Sequence, residues 1–317
     1  MRLTLLGTGT PSPSLERQGS GYLLEIGGDR VVLDHGGGAF HRLLQAGVDP
    51  VTVSHVLLTH LHSDHVLDLA RLVLQRWDKG ADRVPGLKLW GPAGTRQFCR
   101  RLFGPEGAFA PDILARTRHP ASLAIFHARG GEGERAGPGL SVTEVAAGER
   151  IEFDGWRLRT GPAIHFQPLL NSVSYRIEAA GRRFVYTGDT GFSDAVASFA
   201  AGADAMLAMC QYRHGTPLPT AATVTAASHL DLARMADLAG VGTLIPSHLS
   251  RQFDTEVDRA EAEREMAALF PGRIVWARDL LRLSIDAGGA CVVDDDLARS
   301  LAPGVNPQAS TAGPAFD

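Results

Sequence analysis

Cysteine is scarce and scattered in this sequence: Cys99, Cys210 and Cys291 stand alone, with no CxxC spacing. An odd set of isolated thiols excludes a disulfide framework and a thiolate zinc site, and a reducing cytoplasmic setting is expected. Long apolar runs are missing too. No stretch of 18 apolar residues occurs, and residues 1–30 hold no basic segment followed by an apolar one, so neither a membrane span nor a secretion signal is expected. Positive charge is not in excess. Lys plus Arg number 31 against 35 Asp plus Glu, a net charge of −4, which lacks the electrostatic footprint of a protein gripping a phosphate backbone through many contacts. No stable nucleic-acid partner is expected on that ground. What remains is an ordinary globular composition, 44% hydrophobic and 21% charged over 317 residues, with 12 histidines as its one unusual number.

The pattern alternates hairpins with helices. Arg2 to Leu6 reads as a strand ending in the Gly7–Pro11 loop, and Gly21 to Ile26 with Arg30 to Asp34 reads as a hairpin. Gly36-Gly37-Gly38 then opens a helix from about Ala39 to Gln45; the glycines read either as a phosphate cradle or as a tight turn. Val53 to Thr59 predicts a strand, and Val66, Leu69, Ala70, Val73 and Trp77 trace one face of a helix after it. Residues 79–138 are less regular around a helix at Thr95 to Leu102, and are expected to form a rim or lid. Strands are predicted at Leu140 to Val145, Arg150 to Phe153, Trp156 to Thr160, Val173 to Glu178, Arg182 to Thr187 and Val241 to Pro246. Ser228 and Asp231 have capping-box spacing before an apolar helical stripe, and another helix follows Thr255 to about Phe270. One domain over residues 1–286 is expected, with 287–317 a surface or disordered tail.

The chemistry concentrates at one strand-to-helix junction. His60, His62, Asp64 and His65 fall within six residues in Thr59-His60-Leu61-His62-Ser63-Asp64-His65. Imidazoles and a carboxylate crowded in one turn suit a divalent cation, because neutral ring nitrogen and carboxylate oxygen are good zinc ligands.

This segment resembles the HxHxDH signature of the metallo-β-lactamase superfamily, which implies an α/β fold, a four-layer αββα sandwich with metal at the edge between its sheets. His165, Asp189 in Thr187-Gly188-Asp189-Thr190 and His248 in Pro246-Ser247-His248-Leu249-Ser250 follow in the family's order. By that resemblance, His60, His62 and His165 would hold one metal and Asp64, His65 and His248 a second, with Asp189 bridging. Two zinc ions are the implied cofactor, with manganese or iron as alternatives, and Asp64 would also orient the attacking water. Leu5-Leu6-Gly7-Thr8-Gly9, Asp34-His35-Gly36 and the spacing from His229 to His248 resemble the ribonuclease Z-like subgroup. There the histidine matching His229 protonates the leaving oxygen; the other reading is a structural histidine under the capping box. Tyr212 and Arg213 either line the pocket, Arg213 meeting a substrate anion, or belong to a solvated loop.

Three departures bear on substrate. Only 24 positions separate His165 from Asp189, too few for the transfer-RNA-gripping arm that the subgroup inserts there. His35 stands where the subgroup often has cysteine, and Met209-Cys210-Gln211 where many relatives carry an acidic residue. His62 in place of glutamate speaks against the redox-iron branch, so hydrolysis is favoured. The expectation is a dinuclear zinc hydrolase of a small-molecule ester, a phosphodiester ahead of a sulfate ester, lactone or carboxylic ester, with no membrane partner and a homodimer as the expected assembly. The competing readings are a ribonuclease Z-like RNA nuclease and a non-catalytic metal-binding sensor.

Overall fold

The computed structural model describes residues 1–285 and the backbone of the strand Cys291–Asp294. In chain order the strands are β1 (Arg2–Gly7), β2 (Gly21–Ile26), β3 (Asp29–His35), β4 (His55–Leu57), β5 (Leu87–Gly91), β6 (Leu140–Glu144), β7 (Arg150–Phe153), β8 (Trp156–Gly161), β9 (Ser174–Ala179), β10 (Arg182–Tyr186), β11 (Ala205–Met209), β12 (Thr243–Ser247), β13 (Arg273–Ile274), β14 (Arg282–Ile285) and β15 (Cys291–Asp294). They form two sheets. The first runs β15-β14-β1-β2-β3-β4-β5-β6 and the second β13-β12-β11-β10-β9-β8-β7. Each sheet is antiparallel on one side and parallel on the other, the parallel pairs being β3 to β6 in the first and β10 to β13 in the second.

Alternation along the strands explains the layers. Leu3 and Leu5, Tyr22 and Leu24, and Val31 and Leu33 point from the first sheet into a core shared with Leu158, Ile177, Phe184 and Leu207 of the second. The intervening residues face outward. Leu6, Leu23, Val32 and Val56 pack against Phe40, Leu43, Leu69 and Leu72 of the helices Ala39–Gln45 and Leu69–Gly80. On the far side Val185, Met206 and Leu244 meet Val196, Leu232, Met235 and Met266 of the helices Asp194–Phe199, His229–Ala239 and Glu256–Ala267. Apolar side chains on both faces of both sheets thus dictate an αββα sandwich.

The segment 79–138 is more ordered than its composition suggests. It contains β5, the strand next to the edge of the first sheet, and the helices Thr95–Phe103, Ala110–Arg118 and Pro120–Ala128. Tail residues 287–290 and 295–317 lie outside the described residues. Cys291–Asp294 pairs antiparallel with β14 at the sheet edge, a strand that residues 287–317 do not announce by periodicity. The glycine triplet is a tight turn, since the Asp68 carboxylate already accepts from the Gly38 and Phe40 N–H groups at 2.8 and 3.0 Å. No described helix is long and apolar enough to cross a membrane.

His35 ends β3 fully buried, and neither ring nitrogen has a partner among the described residues. Burial pushes its imidazole down to about 3. The unfolded chain therefore takes up a proton below about pH 6.5 that the folded chain refuses until about pH 3, so this group costs stability as pH falls through that window. His35→Leu is expected to raise stability by about 1–3 kcal/mol at pH 7.5. The gap should widen by about 2 kcal/mol at pH 5, read from urea midpoints at the two pH values.

Candidate metal centre

The site lies where several strands end. His60 follows β4, His165 follows β8, Asp189 follows β10 and His248 follows β12, so chain reversals aim all four side chains at one edge of the sandwich. Asp64 and His65 occupy the short helix Ser63–Val66. Two glycines let these segments close up. A Cβ on Gly36 would sit 1.8 Å from the Asp64 carbonyl oxygen, and Gly188, at φ +59°, would bring one within 2.6 Å of Thr59.

Three ring nitrogens converge first. His62 Nδ1 lies 3.0 Å from His60 Nε2 and 3.1 Å from His165 Nε2. Their partners decide where the protons sit. His165 Nδ1 donates to the Thr225 carbonyl at 2.8 Å, and His60 Nδ1 to the Thr59 hydroxyl at 3.0 Å, which leaves both Nε2 lone pairs facing His62. Lone pairs that close repel unless a cation lies between them. Burial keeps all three imidazoles below their usual range, His60 well below it, so they present neutral nitrogen.

Asp64, His65 and His248 form the second group. His248 Nε2 is 3.1 Å from Asp64 Oδ2, while Asp64 Oδ1 and His65 Nε2 are buried with no hydrogen-bond partner. Asp189 faces both groups. Its carboxylate oxygens lie 3.2 Å from His248 Nε2, 3.4 Å from His65 Nε2, 3.8 Å from His165 Nε2 and 3.9 Å from His60 Nε2. Burial alone would raise the Asp189 carboxyl, but the His248 and His65 imidazoles hold it well below the usual carboxylate range. The sequence-expected ligands are thus brought together as two sets around one carboxylate, His60/His62/His165/Asp189 and Asp64/His65/His248.

Asp34 is the residue that sequence reasoning missed as part of the site. Fully buried at φ +49°, it accepts from the Thr59 N–H and hydroxyl at 2.7 Å each, from His65 Nδ1 at 2.7 Å and from the Tyr186 hydroxyl at 2.6 Å. It therefore orients His65 directly and His60 through Thr59. Burial would lower His65, yet Asp189 and Asp34 raise it well above the ordinary histidine value, so a proton balances the two carboxylates when no cation does. Asp34 also groups with His60 and His65, but its four hydrogen bonds make it a support for ligands and not a ligand.

The cleft in front of these groups has a volume of about 630 Å³. Its lining includes His62, Asp64, His165, Asp189 and His248 together with Met209, Gln211, Tyr212 and Ala222. Three expectations need correction. Residues 79–138 contribute nothing to this lining; beyond the metal-ligand turns it draws on 165–166 and 209–226 instead. Arg213 is not in it, because its guanidinium is paired with Glu261 at 3.0 Å and Glu265 at 3.4 Å on the helix Glu256–Ala267. His229 is fully buried and absent from it, with Nδ1 accepting from the His214 N–H at 3.0 Å and Nε2 held by Glu265 at 2.6 Å. The capping box at Ser228 and Asp231 does form, and it turns His229 towards that helix rather than the cleft. Tyr212 alone of these lines the cleft, its hydroxyl donating to the Ala226 carbonyl at 3.2 Å. His229→Ala is therefore expected to leave metal content intact and to lower kcat by less than about tenfold, below the range of a general acid. The check is kcat against pH, whose limbs should be unmoved.

A sandwich of this kind carrying two His/Asp sets defines a metal-dependent hydrolase. Residues 29–249 match the family model described as a beta-lactamase superfamily domain. The chain is 32% identical over 293 residues to ribonuclease Z of Mycobacterium bovis (strain BCG / Pasteur 1173P2), covering 90% of this chain and 98% of that one. Among solved structures it resembles the metallo-beta-lactamase fold protein YhfI from Bacillus subtilis at a TM-score of 0.68 and 19% identity, over 89% of this chain and 98% of that one. It resembles the short form of human tRNase Z at 0.64 and 18%, over 90% and 100%. The chain belongs to the metallo-β-lactamase superfamily and, within it, to the ribonuclease Z-like proteins.

Proposed function

We propose that this chain is a phosphodiesterase acting on a small-molecule diester at a two-metal centre, zinc being the favoured ion. The carrying observation is Asp189, one carboxylate facing two ligand sets at once. His60, His62 and His165 would hold one cation, Asp64, His65 and His248 the other, and Asp189 both. The orphaned Asp64 Oδ1 and His65 Nε2 and the three facing ring nitrogens fit such ions. When bound, such a pair of cations would supply a water of lowered pKa and a clamp on the phosphoryl oxygens.

The chain's own residues do the rest. Asp64, a cleft-lining carboxylate with one oxygen 3.1 Å from His248 Nε2, would accept a hydrogen bond from the attacking water and orient it. His65 and His60 stay fixed in tautomer through Asp34 and Thr59, so their lone pairs need no reorganisation. With Arg213 and His229 both engaged elsewhere, no side chain in the lining offers a ready proton to the leaving oxygen, which favours good leaving groups such as phenolates.

A second reading, an RNA nuclease, draws on the 32% identity to proteins called ribonuclease Z. Against it stand the 24 positions between His165 and Asp189 and a cleft lining without a single Lys or Arg. A panel on zinc-loaded protein separates the readings: bis-p-nitrophenyl phosphate, an aryl sulfate, a lactone, a thioester and a transfer-RNA precursor. Turnover of the phosphodiester above the others is expected. Specific 3′ cleavage of the precursor, with tight and strongly salt-dependent binding, would replace this reading with the nuclease.

A further inference from the structure

The cleft lining has two unlike parts. One part carries members of the His/Asp ligand sets; the other comprises Met209, Leu218, Pro219, Ala221, Ala222 and Phe166. A site meant for a free phosphate or a polynucleotide backbone would face those ligands with cationic or hydrogen-bonding side chains. Here the rest of the lining holds no cationic side chain and is mostly hydrocarbon, with Ser63, Gln211, Tyr212 and Thr225 as its polar members. Two of these apolar residues, Leu218 and Phe166, are 40% and 50% exposed.

The wall is also fixed in place relative to the ligands. The Thr225 carbonyl that follows it accepts the His165 Nδ1 proton at 2.8 Å. At Gly191 the backbone passes so close to Val224 that a Cβ would fall 1.9 Å from the Val224 carbonyl oxygen. The segment bearing Leu218 to Ala222 is therefore pinned at its far end to a ligand histidine, and a larger or charged side chain at its centre intrudes into the cleft.

Resting on the phosphodiesterase reading, we propose that this wall is a specificity surface: the substrate is a phosphodiester bearing one apolar substituent, aryl or alkyl, which packs on Leu218, Ala221, Ala222 and Met209 while the phosphoryl group faces the ligand sets. The polar end of such a molecule meets the polar wall and its hydrocarbon end meets the other. Burying a phenyl group that a methyl group cannot replace favours the larger ester by about 10–30-fold.

The test has two arms on zinc-loaded protein. Turnover is measured for the methyl, butyl and phenyl p-nitrophenyl phosphodiesters, and binding of methylphosphonate and phenylphosphonate is measured by calorimetry. The expected result is a kcat/KM that rises about 10–30-fold from methyl to phenyl, with phenylphosphonate binding at least about tenfold more tightly than methylphosphonate. Ala222→Asp and, as a milder second variant, Leu218→Ser should each bring both preferences towards one, with thermal melting confirming that the variants fold. Equal kcat/KM and equal phosphonate affinities in the wild type would overturn the specificity surface while leaving the phosphodiesterase reading intact. No turnover of any diester, with phenylphosphonate still preferred and the variants abolishing that preference, would overturn the phosphodiesterase reading and keep the apolar wall as a ligand surface. A self-association that masks the cleft and erases the phosphonate preference at high protein concentration would instead assign the wall to a second copy of the chain, and the proposal would fall.

Discussion

Asp189→Ala is expected to lower hydrolysis by roughly 10³-fold or more and to leave the chain with one cation at most. The size follows from what the carboxylate touches. Its oxygens lie within 4 Å of ring nitrogens from both sets, so its loss removes the carboxylate that faces His60 and His165 as well as His65 and His248. A two-cation clamp contributes several kcal/mol of transition-state stabilisation, and losing about 4 kcal/mol corresponds to roughly 10³ in rate. Folding should suffer less than chemistry. In the metal-free chain Asp189 is a buried anion balanced by a protonated His65, and removing it leaves that proton free to dissociate.

Asp34→Ala reverses that balance, with the larger effect on folding. Four donors lose their acceptor at once: the Thr59 N–H, the Thr59 hydroxyl, His65 Nδ1 and the Tyr186 hydroxyl. All are buried, and an uncompensated set of this kind costs about 3–5 kcal/mol. Metal affinity should fall as well, by about 10–100-fold, because His65 and, through Thr59, His60 lose the contacts that fix their rings. Chemical denaturation with and without zinc reads both effects. A variant that unfolds at the wild-type urea midpoint would show that Asp34 does not hold the site together.

The difference between these two aspartates also shows which parts of the site are legible in sequence. His60, His62, Asp64 and His65 declare themselves because four ligand residues within six positions have few other uses. His165, Asp189 and His248 do not: each alone is a polar residue after a strand, and only their order behind the histidine-rich turn, set beside a resembling family, singles them out. Asp34 reads as another strand-end acid, since its role depends on Tyr186, 152 positions away. Arg213 and His229 mislead for the same reason. Their partners Glu261 and Glu265 sit on a helix that sequence predicts as an element but cannot dock.

For the fold, the helix Ala39–Gln45 and the strand Arg150–Phe153 occur where the pattern puts them. The segment 79–138 hides its structure for two physical reasons. β5 is five residues wedged between Pro85 and Pro92, and the helix Ala110–Arg118 buries none of its residues, so it carries no apolar stripe to read.

The central claim is that one carboxylate joins two cation sites. Native mass spectrometry of the chain titrated with zinc, wild type beside Asp189→Ala, tests it most directly. Two bound zinc ions per wild-type chain and no more than one in the variant is the predicted result; a wild type that saturates at one ion or none, or a variant that still binds two, would contradict it.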